Sequence, residues 1–256
     1  MTVKPTRLIA CLLLVVSFFA AQAHAELPAG YKVVLQTENF PPFNMADNNK
    51  NFARDENIQG VSTTIVREMF KRAAIDYTLT LRFPWSRIYD STLENPNHGL
   101  FSTSMSDARK PLFKWVGPIA SYDRVMLAAP DSKIGTMRDL AEASRYTIGS
   151  YKDSAVSQHL ENAGLQPVNA LRDPENIAKL QQGRIDLWAT SDPVWRHHAR
   201  QAGVTGLRTV LTFDQSNLYL AFNLDTPDEV ITRLQAALEE MKGEGYGTCS
   251  KHPELC

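Results

Sequence analysis

Between residues 100 and 119 the chain carries one run whose residue types suit anion binding. Ser102, Ser104 and Ser106 alternate, and a single arginine, Arg109, follows three residues later. A planar guanidinium matches a carboxylate through two parallel charge-assisted hydrogen bonds, and hydroxyls at alternate positions can fill the carboxylate's remaining lone pairs. Read alone, the same run is a polar loop with a solvated arginine. The elements that hold it have to decide between the two.

Other chemistry-bearing residues are sparse. His197-His198 falls on an expected helix with no cysteine or acid pair at ligand spacing, which reads as a solvated face; no metal and no cofactor is expected. Trp85 follows Pro84 at the end of an expected strand, where open α/β sheets bind ligands, and is either an aromatic wall of a site or a core anchor. Trp188, Phe40 and Tyr151 are further aromatics with flat faces for a ring-bearing or cationic group, Trp188 standing equally well in a core.

Patterning supplies the elements. Residues 31–36 form a short apolar strand, and 37–43 leave it as a turn stiffened by Pro41 and Pro42, which fix Phe40 and Phe43. A polar loop over 45–60 precedes a helix over 62–74 with Ile65, Val66, Met69, Phe70 and Ala73 on one stripe. A strand over 77–82, a helix from Pro84 and strands over 99–104 and 113–116 complete a β, α, β, α, β, β series, one α/β lobe, interrupted by Gly117-Pro118.

A second series starts at Val125. It holds a helix opening at Thr136, a strand over 146–149, a helix capped by Asp153 or Ser154 and closed by Gly164, and helices opened by Asp173-Pro174 and Asp192-Pro193. Strands over 207–212 and 218–222 follow, then a final helix from a Thr226 capping box with Val230, Leu234, Ala237, Leu238 and Met241 as its stripe. Two series with one segment left over predict an α/β fold of two mixed sheets flanked by helices, in two lobes: 26–118 with 218–256, and 124–212. The chain crosses at 119–123 and 213–217, a double hinge beside a cleft. The helix N-terminus at Asp153 to Val156 then offers free backbone N–H groups to an anion across from Arg109.

The first 25 residues read as a cleaved secretory signal: Lys4 and Arg7, an apolar stretch from Leu8 to Ala20, and Ala23-His24-Ala25 as the cleavage site. They carry two positive charges and no negative ones, so their loss takes the net charge from −1 to −3. A mildly acidic, mixed surface argues against nucleic-acid binding and against a polybasic membrane patch. Cys249 and Cys256 remain after processing, and an oxidising compartment predicts a disulfide between them.

In order along the chain, Phe40-Pro-Pro-Phe43, the serine run to Arg109, Phe113-Lys-Trp-Val-Gly-Pro-Ile119, Ile134 to Leu140, Gly183-Arg-Ile-Asp186 and the helix over 226–243 together resemble the family 3 extracellular solute-binding proteins, periplasmic receptors for polar amino acids. The resemblance implies the two-lobed type II periplasmic-binding-protein fold. It also implies a periplasmic monomer that closes on a carboxylate or amino-acid-like ligand and delivers it to an inner-membrane ABC permease, with no catalysis. Arg109 would clamp the ligand carboxylate, supported by Ser104. Ser102 would contact its amine, Phe40 would stack on it, Ser154 and Ala155 would complete the carboxylate site, and Trp85 would wall the cleft. One departure stands out: the family's amine-binding aspartate corresponds to Ser191, with Asp192 one step later, which serves either as that acid or as the helix cap before Pro193. Glu38 is the other acid expected near the cleft, for a cationic group or solvated. Two alternatives remain: a dehydratase resembling the cyclohexadienyl and arogenate enzymes on this fold, and a ligand-binding partner of a sensory receptor.

Overall fold

A computed structural model describes residues 27–47 and 50–247. The expected signal and the Cys249–Cys256 pair lie outside the described residues.

The first series begins with β1 (Lys32–Thr37), the short strands β2 (Met45–Ala46), β3 (Phe52–Arg54) and β4 (Ile58–Gln59), and helix α1 (Val61–Arg72). It continues through β5 (Asp76–Arg82), α2 (Trp85–Glu94) and β6 (His98–Ser104). The apolar stripe of α1 is buried, as its spacing requires. Two main-chain carbonyls of the aromatic turn cap that helix: Val61 N–H donates to Pro42 O at 3.1 Å and Ser62 N–H to Phe43 O at 2.8 Å. The turn carrying Phe40 is thereby fixed to the start of α1.

The long strand β7 (Lys114–Ala128) carries the chain into the second series: α3 (Leu140–Ala143), β8 (Ile148–Tyr151), α4 (Ala155–Asn162), β9 (Val168–Ala170), α5 (Glu175–Gln181), β10 (Leu187–Asp192) and α6 (Val194–Gln201). A second long strand, β11 (Arg208–Phe222), returns it, and α7 (Asp228–Gly243) closes the first half.

Hydrogen bonding runs without a break through nine strands in the order β3-β5-β1-β6-β11-β7-β10-β8-β9. The two expected sheets are thus joined. Segments 119–123 and 213–217 are not loops between strands, because β7 and β11 stay extended and antiparallel through both, with Asp123 opposite Gln215 and Leu218 opposite Ala120. Register shifts at Thr209/Leu211, Thr212/Asp214 and Leu218/Leu220 bend this two-stranded ribbon.

Separate cores form on either side of the ribbon. One joins Val33, Leu35, Ile65, Met69, Phe101, Phe222 and Leu234. Beyond it, successive β7 residues turn to opposite faces: Met126 and Ala128 pack with Ile148, Leu160 and Leu187, while Val125 and Leu127 pack with Ile177, Ala199 and Trp188. A strand covered on both sides must be apolar at every position, which is why residues 125–129 read as an unbroken apolar run.

Four helix starts differ from expectation, that of α6 being described with the site below. The Thr136 box gives a helix only from Leu140, where the Asp139 carboxylate accepts the Glu142 N–H at 3.1 Å. Neither Asp173 nor Thr226 caps through its side chain; Pro174 and Pro227 occupy the cap positions instead. Tertiary partners claim the Asp173 carboxylate, as described below. No helix among the described residues is long and apolar enough to cross a membrane.

Candidate functional site

The parallel strands β1, β6, β8, β9 and β10 all direct their C-terminal ends at one cavity of about 240 Å³. That volume is small beside the roughly 300–1,000 Å³ of sites for drug-sized molecules. Strand ends are where backbone amides and side chains leave the ladder and become available to a ligand. Nine of the ten residues singled out from sequence line it: Glu38 and Phe40 after β1, Trp85 at the start of α2, Ser102 and Ser104 at the end of β6, Arg109, Ser154 and Ala155 at the start of α4, and Ser191 in β10. Asp192 is the exception.

Arg109 is only 4% exposed. Its guanidinium lies over the rings of Tyr89 (5.2 Å to the centroid) and Trp85 (5.7 Å), two cation–π contacts from neighbouring rings whose centroids are 6.2 Å apart. From across the cavity, Gln158 Oε1 on α4 accepts from Nη2 at 2.9 Å, and Asp153 O does so at 3.5 Å. No carboxylate pairs with it among the described residues, and burial pushes its pKa below the ordinary arginine value. Trp85 lines the cavity and also packs against the cluster of Leu100 and Phe113.

The three serines do not converge on one point. Ser102 adopts a left-handed backbone (φ 60°), which breaks the strand alternation and turns its hydroxyl to donate to Asn44 Oδ1. Ser104 shares a 2.7 Å hydrogen bond with the Tyr122 hydroxyl. Ser106 leaves the cavity and instead accepts the Arg109 N–H at 3.3 Å. The hydroxyls therefore set the backbone and the walls around Arg109. At the facing helix, Ser154 is the N-cap, accepting the Ser157 N–H at 3.1 Å, so its hydroxyl is engaged and the first amides of α4 remain as donors without a partner inside the helix.

Phe40 stacks on Phe43 (5.4 Å) and meets Tyr122 edge-on (5.6 Å), giving the cavity a flat aromatic side. Beside it, Tyr151 at the end of β8 donates to Glu38 Oε1 at 2.8 Å and accepts the Trp85 N–H at 3.2 Å. Tyr151 thus ties β8 to the first half at two points. Burial pushes the Glu38 carboxyl up to about 8, the Tyr151 hydrogen bond only partly opposing it. Glu38 is half-buried on the cavity wall, and no cation pairs with it among the described residues.

Asp192, expected to cap α6 or bind an amine, makes no side-chain cap bond and does not line the cavity. Its two carboxylate oxygens each accept from Arg196 at 2.7 Å, and Pro193 holds the cap position. The acid on that side of the cavity is Asp173, which sequence reasoning assigned to a cap. Its carboxylate turns inward and accepts from the Trp188 indole N–H at 2.8 Å and the Thr190 hydroxyl at 2.5 Å, and burial pushes it up to about 6. Trp188 is fully buried and stays out of the cavity. His197 and His198 are half-buried on the cavity wall rather than on a solvated face, and burial pushes His198 down to about 4. No group of three metal-binding side chains occurs among the described residues.

No known family model matches the chain, and no curated protein matches it in sequence. Solved structures match it in fold. A histidine kinase sensor domain with similarity to periplasmic binding proteins superposes with a TM-score of 0.73 at 16% identity, over 84% of this chain and 91% of that one. An ancestral arginine-binding protein bound to arginine gives 0.69 at 19%, over 84% and 94%. The arginine-, lysine-, histidine-binding protein ArtJ from Geobacillus stearothermophilus gives 0.67 at 18%, over 84% and 91%. At such identities the likeness is one of fold, and the chain has the two-lobed α/β architecture, with a large mixed sheet flanked by helices, of periplasmic-binding-protein-like structures.

Proposed function

We propose that this protein captures a small carboxylate-bearing ligand, an amino acid or a close relative, by closure of its two lobes, and that it performs no chemistry on it. One observation carries the reading: Arg109 is a buried cation without a carboxylate partner among the described residues, facing the first turn of α4. An uncompensated buried charge is costly, and a ligand carboxylate removes that cost while accepting from the guanidinium and the helix amides together. The structural neighbours include proteins named for binding arginine, which supports an amino-acid ligand. Closure would flex the β7–β11 ribbon at 119–123 and 213–217. We further propose a periplasmic location reached through residues 1–25 and delivery of the closed form to an inner-membrane ABC permease.

Calorimetric titration with a panel of amino acids and organic acids tests the clamp, with Arg109→Ala as control. Loss of a hydrogen bond to a charged group costs roughly 1.5–3 kcal/mol, so affinity should fall roughly ten- to a hundredfold. Undiminished binding by the variant would remove Arg109 from the site.

A second reading is favoured by one feature. Glu38 keeps its proton up to about 8 beside a carboxylate clamp, as a general acid for a dehydratase would. Incubation with prephenate separates the two, since that enzyme releases water and carbon dioxide and leaves phenylpyruvate, whereas a binding protein returns prephenate unchanged.

A further inference from the structure

The clamp arginine is already held by the opposite half of the molecule. Arg109 Nη2 donates to Gln158 Oε1 at 2.9 Å and to the Asp153 carbonyl at 3.5 Å, and Gln158 Nε2 donates to that same carbonyl at 3.3 Å, so the three groups close a ring. We propose that Gln158 is an internal competitor for the ligand: its carboxamide holds Arg109 and ties the two halves together until a ligand carboxylate takes its place on the guanidinium. This rests on the carboxylate-clamp reading and adds to it a contact that sets the clamp's affinity.

Which nitrogen is taken matters first. A guanidinium grips a carboxylate through two parallel bonds, from Nε with Nη2 or from Nη1 with Nη2, so Nη2 belongs to both pairs. It is the nitrogen that Gln158 and Asp153 hold, whereas Nε and Nη1 of Arg109 have no acceptor among the described residues. A ligand gripped by both carboxylate oxygens therefore has to win Nη2 from them. Neither Gln158 nor Asp153 lines the cavity, so the contest is for hydrogens rather than for space.

The local chain aims the carboxamide. Gln158 stands one helical turn beyond the Ser154 cap, and its N–H donates to Ser154 O at 3.0 Å. Asp153 adopts a left-handed backbone (φ 59°), uncommon for a residue with a side chain, and its carbonyl is the acceptor that fixes the Gln158 amide. An arginine only donates, so the oxygen of that amide must face it, and the bond from Nε2 to Asp153 demands the same orientation.

The exchange also runs in the required direction. Gln158 offers the buried cation a neutral dipole, which lowers the cost of burial without cancelling the charge, whereas a carboxylate brings a full opposite charge and a bond roughly twice as strong. A stand-in weaker than the ligand keeps the clamp in place and then yields it. Because Arg109 precedes β7 in the first half and Gln158 belongs to α4 in the second, releasing the contact is coupled to the hinge. The Tyr151 bonds to Glu38 and to the Trp85 amide join the same halves without touching Arg109, so they do not enter the competition.

The test is calorimetry on the full protein with each standard L-amino acid and its des-amino carboxylic acid, comparing the intact protein with Gln158→Met, which keeps the length of the side chain and removes its carbonyl. Affinity for the carboxylates that bind should rise roughly three- to tenfold in Gln158→Met, because a hydrogen bond of ordinary net strength no longer opposes them. Gln158→Ala should behave alike and serves if Gln158→Met does not fold. Gln158→Glu, a charged competitor at the same place, should bind them roughly tenfold more weakly or worse. Thermal melts without added ligand should order these proteins the other way, Gln158→Glu above the intact protein above Gln158→Met, and the order should vanish when Arg109→Ala is added to each. Opposite orders of affinity and melting temperature are the mark of competition, which a merely structural role does not produce. Affinity unchanged or lowered in Gln158→Met, or a melting order that survives Arg109→Ala, overturns the inference and leaves the clamp standing. Failure of every carboxylate to bind, or undiminished binding by Arg109→Ala, overturns the clamp and this inference with it.

Discussion

A carboxyl group drawn into a protein interior keeps its proton, and burial holds that of Glu38 up to about 8 against an ordinary 4.5, with no cation paired to it among the described residues. The folded protein therefore binds a proton that the unfolded chain releases. Stability from this group is fully present below about 4.5 and is lost as pH rises through 8. Asp173 adds a smaller loss of the same sign, up to about 6. His198 works the other way: folding holds it neutral, so its contribution is present above 6.5 and lost as pH falls towards 4. The interval from about 6.5 to 8 thus isolates Glu38, and one proton across it is worth up to about 2 kcal/mol. Thermal melts of ligand-free protein should fall over that interval and stay level in Glu38→Gln; an equal fall in the variant would place the titrating group elsewhere. At this scale the sequence was half legible. A lone arginine after alternating serines left open a solvated loop or an anion site, and the structure buries it; Asp-Pro looks the same whether the carboxylate caps a helix, as expected of Asp173, or turns onto Trp188 and Thr190, as it does.

Elements were legible where the signal is a period and not where it is a cap. The buried stripes of α1 and α7 sit at the positions their spacing requires. Cap residues compete with tertiary partners for the same side-chain oxygens, and at Asp173 and Asp192 the tertiary or i,i+4 partner won. One junction carries a sharp prediction. Gly60, at φ +124°, precedes α1, and a Cβ there would lie 2.6 Å from the Pro42 carbonyl oxygen and closer still to that of Phe43. Those same carbonyls cap α1 and belong to the turn that carries Phe40. Gly60→Ala should cost about 2–4 kcal/mol in denaturant unfolding, from backbone strain and steric displacement together. A loss within 0.5 kcal/mol, the scatter of ordinary surface changes, would show that the turn yields freely.

For the whole molecule, the observed contacts join the two halves at their facing strand ends: Arg109 to Gln158, and Tyr151 to Glu38 and to the Trp85 amide. If ligand capture draws the halves together, small-angle scattering should give a smaller radius of gyration on adding a bound amino acid, and no change for Arg109→Ala at the same concentration. A radius insensitive to ligand in the intact protein would mean capture without closure. The sequence by itself determined the alternation of strands and helices, the two series and the singling out of Arg109, because hydrophobic period and residue chemistry are local properties. Tertiary structure decided that β7 and β11 run unbroken through both halves and knit one sheet, that Ser102 bonds Asn44 and Ser106 the Arg109 main chain, and that Asp173 rather than Asp192 lines the cavity. The physical reason is common to all three: each depends on which distant residues strand register and burial bring alongside, and no spacing within a single segment encodes that.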